Sequence, residues 1–74
     1  MLENPVIRTF KKRADKIVAK VQAKINRLGA YENAGQDEIN YFMSEVSKAR
    51  LHYQEECMLK DYINVLVDNL DYSN

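Results

Sequence analysis

The chain has one cysteine, one histidine, one proline, two glycines and no tryptophan in 74 residues. Each shortage excludes something. The single thiol, Cys57, cannot close an intrachain disulfide. A lone cysteine also fits a reducing compartment better than a secreted one. The single histidine, His52, cannot hold a metal by itself. Glu56 stands four residues further on, but two ligands are too few for a metal site. The Glu-x-x-His pairs that carry carboxylate-bridged metals in helical bundles are absent. So are a glycine-rich phosphate loop, a Gly-x-Ser-x-Gly elbow and a cysteine pair. The expectation is no catalytic residue, no cofactor, no metal and no enzymatic activity.

Long apolar runs are missing too. The opening Met1-Leu2-Glu3-Asn4-Pro5 contains no signal-like stretch, and no segment is long enough to cross a bilayer. A cytoplasmic location is expected. Hydrophobic residues nevertheless make up 46% of the chain, well away from disordered compositions. The expectation is a single helical domain over 1–74. A core of this size supplies only about 3–5 kcal/mol. Without a disulfide or metal, self-association or a partner is the natural supplement.

The helical period is strong. Asn4 suits an N-cap, and Pro5 suits the first helical position, where a missing N–H costs nothing. Ile7, Phe10, Ala14, Ile17, Val18, Val21, Ile25 and Leu28 then fall on an arc roughly 100° wide. Gly29 follows, where a left-handed cap is wanted. Helix 1 is placed at about 5–28. Both glycines lie in the loop that follows, in which Asn33-x-x-Gln36 resembles a capping box.

From Gln36 onward there is no glycine or proline. Ile39, Phe42, Met43, Val46, Ala49, Tyr53 and Cys57 form one stripe. Leu59, Tyr62, Ile63, Leu66 and Leu70 form another, rotated by roughly 120° on a straight helix. Either one long helix meets different neighbours along its length, or the chain bends near Gln54–Met58. The bend is preferred, giving helix 2 at about 35–55 and helix 3 at about 57–70. The fold class is therefore all-α, an antiparallel helical hairpin or small three-helix bundle. A continuous helix would require a dimer to cover its second stripe.

A net charge of zero hides a division. Residues 1–30 carry eight bases and two acids, a balance of +6; residues 31–74 carry three bases and nine acids, a balance of −6. Arg13, Lys16, Lys20, Lys24 and Arg27 lie within about 80° of one another on helix 1, forming a ridge beside the apolar stripe. Glu38, Glu45 and Glu56 gather on one flank of helix 2 on the continuous reading. In the first of three readings, the ridge pairs with this acidic flank, within the chain or across a homodimer. In the second it tracks phosphates as a nucleic-acid-binding module. The third, an anionic membrane surface, is the weakest because helix 1 has only Phe10 as an interfacial aromatic.

The leading expectation is a regulatory or assembly factor acting through protein contact, as a homodimer. Its seam would be Ile7, Phe10, Ile17, Val21, Ile25 and Leu28. Tyr53 and Tyr62 are expected in a core or interface, and Cys57 as a small buried hydrophobe. Tyr41 falls off the stripe, so it is either a surface anchor or half-buried under the loop. Glu38-x-x-x-Phe42-x-Ser44, then Arg50-Leu51 and Asp61-Tyr62-Ile63, resembles the Hha-type nucleoid modulators over about 25 residues with a one-residue offset. That likeness does not extend over helix 1, and no family assignment follows from it. In style the chain resembles small regulatory or phage-borne proteins.

Overall fold

In the computed structural model, which describes residues 4–28 and 35–72, the chain enters its first helix as the capping pattern predicts. The Val6 N–H donates to Asn4 Oδ1 at 2.9 Å, and the Arg8 N–H to the Asn4 carbonyl at 3.2 Å. Helix α1 spans Pro5–Leu28, α2 Gln36–Lys48 and α3 Tyr53–Asp68. At 1.5 Å per residue, α1 is about 36 Å long and α2 only about 20 Å.

The helices run up, down and up. Helix α2 is antiparallel to α1: Gly35 sits against Val21 at one end, while Phe42 meets Phe10 further along, edge to face at 5.8 Å. Helix α3 is parallel to α1. Asp15 joins Tyr62, and Gln22 joins Asp71.

The start of α2 depends on a glycine. Gly35 is the N-cap with φ of 76°, a left-handed conformation open to glycine at little cost. A Cβ there would also collide with the Val21 side chain. The Gly29 cap and the Asn33 capping box expected nearby lie outside the described residues.

The predicted second helix, 35–55, is divided earlier than expected. Helix α2 stops at Lys48, and the Ala49 N–H folds back to the Val46 carbonyl at 3.2 Å. Arg50 then takes φ of 56°, the left-handed position that usually falls to glycine after a helix. His52 is extended, and its N–H donates to Glu55 Oε1 at 3.3 Å, half of a capping box that opens α3. The break therefore lies at 49–52, not at Gln54–Met58, and α3 begins at Tyr53 rather than near 57.

That shift corrects three expectations. Tyr53 starts a new helix instead of extending the old stripe, and at 78% exposure it is not core, which leaves only the interface half of its expectation. A hydrogen bond with Cys57 holds its phenol above the usual range. Cys57 itself is half-buried, not buried. Glu56 belongs to α3, where it takes Lys60 at 3.1 Å, and so leaves the flank of α2.

The two out-of-phase stripes now bury inside one chain. Ile7, Phe10 and Ala14 of α1 meet Ile39, Phe42 and Val46 of α2 and Leu59 and Ile63 of α3. A second cluster joins Val21 and Ile25 to Leu70, with Ile17, Val18 and Val67 packed against it. Among the described residues no polar or charged side chain is buried, so the core is dry and purely apolar. The fold is a three-helix bundle, the second of the two architectures expected.

Candidate functional site

Helix α1 offers a different flank to each neighbour. Its apolar stripe points into the core. On one side of the stripe, Lys11, Asp15 and Gln22 face α3. On the other, the ridge that begins at Arg13 and Lys16 faces α2.

On the α2 side the helices do not close. A groove of about 520 Å³ opens between them, lined by Arg13, Lys16 and Ile17 of α1 and Asp37, Glu38 and Tyr41 of α2. The floor is Ile17, which is half-buried against both core clusters. The α2 wall is Tyr41, which is 61% exposed rather than half-buried. The α1 wall is cationic. Lys16 is exposed, while the Arg13 guanidinium sits 5.2 Å from the Phe10 ring centroid. Cation–π contacts of this kind are worth about 0.5–1 kcal/mol at exposed sites, and this one steadies Arg13 at the groove mouth.

One ridge cation is already spoken for. Lys24 Nζ donates to Glu38 Oε1 at 2.9 Å, with both side chains roughly two-fifths exposed. That hydrogen bond, helped by a backbone hydrogen bond and by the nearby charges of Lys24 and Lys20, holds the Glu38 carboxyl below its ordinary range. At this exposure the pair is worth about 0–1 kcal/mol. It fixes where α2 starts against α1 more than it holds the two together. Asp37 stands in the first turn of α2, where the positive helix end offsets its charge.

The predicted ridge is thus divided by the fold. Arg13 and Lys16 line the groove; Lys20 lies close enough to influence Glu38; Lys24 is paired; Arg27 is exposed in the last turn of α1. The predicted seam has a different fate. Ile7, Phe10, Val21 and Ile25 are buried within the chain's own core, and Ile17 is partly buried at the groove floor. The Leu28 side chain lies outside the described residues. Sequence reasoning treated Ile17 as one more seam residue and Asp37 as a helix-start acid. Neither is legible as lining a groove, because a groove is set by the crossing of two helices and leaves no local pattern.

Among the described residues no helix is long and apolar enough to cross a membrane. Compared with protein-family models, curated proteins and solved structures, the chain matches none.

Proposed function

We propose that this chain is a non-enzymatic protein-interaction module, a regulatory or assembly factor that receives its partner in the groove between α1 and α2. The observation that carries the reading is the pairing of an exposed tyrosine with an aliphatic floor under charged rims of both signs. Interface centres are enriched in tyrosine and arginine, and partner binding concentrates on a few such anchors. Tyr41 and Arg13 supply both types within one groove. A surface tyrosine this exposed contributes little to the fold, so its large amphipathic area is available to a partner.

Nucleic acid is the competing occupant, through Lys16, Lys20 and Arg27. Asp37 speaks against it, since it places negative charge along the same groove that phosphates would have to follow. The test is capture from host lysate by the wild type and by Tyr41→Ala, each with and without nuclease. Proteins that survive nuclease and are lost with Tyr41→Ala support the reading. Capture that depends on nucleic acid and ignores Tyr41 sinks it.

A further inference from the structure

We infer that the groove selects an acidic segment of its partner: a short stretch with aliphatic or aromatic anchors for the Ile17–Tyr41 floor and carboxylates for the α1 wall. This deepens the binding reading above and rests on it.

The charge ledger of the groove decides the sign. Two acids line its α2 wall, one paired within the chain and one left facing the groove. Glu38 is engaged by Lys24 at 2.9 Å. Asp37 stands on the positive end of α2. The cations are less occupied. Lys16 has no ion-pair partner among the described residues, and Arg13 leans on a neutral ring. Lys20, one turn beyond, reaches Glu38 only through its field. What remains for an incoming chain is an α1 wall with unspent positive charge from Arg13 to Lys20, about two turns. Electrostatic complementarity of this kind sets partner choice and association rate more than it sets affinity.

The floor decides that charge is not enough. Ile17 and Tyr41 offer apolar area that a bare polyanion cannot cover. A phosphate backbone would also bring a charge to each step, including past Asp37. Carboxylates on a peptide can instead be spaced to reach Arg13, Lys16 and Lys20 while leaving the Asp37 side neutral. Helix α2 is 13 residues long. The groove takes up only about one turn of it, Asp37 to Tyr41, facing Arg13 to Ile17 of α1, so it holds a short stretch of a partner's chain.

The experiment is an NMR titration of the isotope-labelled chain with four probes. The first is a synthetic helix-forming peptide of about 14 residues, with leucines on one face flanked by glutamates. The second has every glutamate replaced by lysine. The third keeps the glutamates and replaces the leucines by serine. The fourth is a short duplex DNA. The acidic leucine peptide should move the amide signals of Arg13, Lys16, Ile17, Asp37 and Tyr41 and bind at least ~10-fold tighter than the other three. Lys16→Glu, at an exposed position that leaves the core untouched, should weaken it by about 10-fold and should improve binding of the lysine peptide. Equal or tighter binding of the lysine peptide overturns the acidic preference but leaves the groove as a protein site. Equal binding of the serine peptide overturns the anchor. Movement of the same signals by DNA alone overturns the binding reading itself. No response at the groove from any probe at about 1 mM, the weak end of measurable affinity, overturns the inference.

Discussion

On its α3 side, helix α1 is joined by hydrogen bonds that connect distant parts of the chain. The Tyr62 hydroxyl donates to Asp15 at 2.8 Å. Gln22 takes the Asp71 N–H at 2.8 Å and donates to the Asp71 carbonyl at 2.9 Å. The apolar contact beneath is the more extensive of the two that α1 makes. On its α2 side there is, among the described residues, one partly exposed ion pair, beside an open groove. Both flanks belong to the same helix, and both run beside the same apolar stripe. One closes because its polar residues are short or end in a partner. The other stays open because long cations and a tyrosine stand where a closing contact would need small apolar groups. The closed flank holds the fold; the open flank is the one that the proposed partner would occupy.

The largest expected effect breaks this comparison if it fails. Ile63 of α3 is fully buried, whereas Ile17 at the groove floor is only half-buried. Ile63→Ala should cost about 2–5 kcal/mol through lost burial and the cavity left behind. Ile17→Ala should cost about 1 kcal/mol, because one side of it already faces the groove. Urea unfolding midpoints measure both. Equal losses would mean that the groove floor is core after all.

The second expectation concerns how α2 is anchored at all, given so thin a contact. Gly35→Ala forces a left-handed alanine and drives a methyl into Val21. The strain costs about 1–2 kcal/mol, and the overpacking adds about 1–3 kcal/mol. Unfolding at equilibrium should show the combined loss. Hydrogen exchange should show it first in α2, with α1 and α3 retaining protection. Uniform loss across all three helices would show that α2 is not separable from the other pair.

How much of this was legible depends on which residues make each feature. Helix α1 was readable end to end, because Asn4, Pro5 and an unbroken stripe all agree. The α2–α3 break was not placed correctly. Its signal should have been a glycine at the left-handed position, but Arg50 fills it. His52 and Glu55 carry the restart, and histidine is a poor N-cap to recognise by composition. The five-residue ridge was legible as a ridge. Its division into paired, stacked and open members was not, since that division depends on where α2 crosses. Tyr41 was legible only as an exception to its stripe, and the exception turned out to mark the open flank.

The third expectation sharpens the closed flank. Tyr62→Phe keeps the ring but removes the hydroxyl that reaches Asp15, and should cost about 1 kcal/mol. The hydrogen bond to Asp15 also raises the Tyr62 phenol above its ordinary value of 10.0. A raised folded-state value means that the contribution is complete below about pH 10 and is lost as pH rises through the higher folded value. The wild type should therefore lose stability relative to Tyr62→Phe only in that alkaline range. A constant difference between the two from pH 7 to pH 11 would separate the hydroxyl from the hydrogen bond.

The smallest effect belongs to the open flank. Lys24→Ala removes the ion pair with Glu38, and at two-fifths exposure it should cost only about 0.5 kcal/mol. The sign with pH is opposite to that of Tyr62. Glu38 is held below its ordinary value of 4.5, so the pair contributes above that pH and is lost as pH falls through the lower folded value. Salt should act in the same direction as acid, because a pair this exposed is screened within about 10 Å at 0.1 M. The wild type and Lys24→Ala should therefore converge in stability as pH falls from 4.5 through the lower folded value, and again in high salt at neutral pH. A Lys24→Ala cost well above 1 kcal/mol that persisted in high salt would mean that the ridge clamps α2 as a structural element. The contrast between a closed flank and an open one would then give way to a bundle held on both sides.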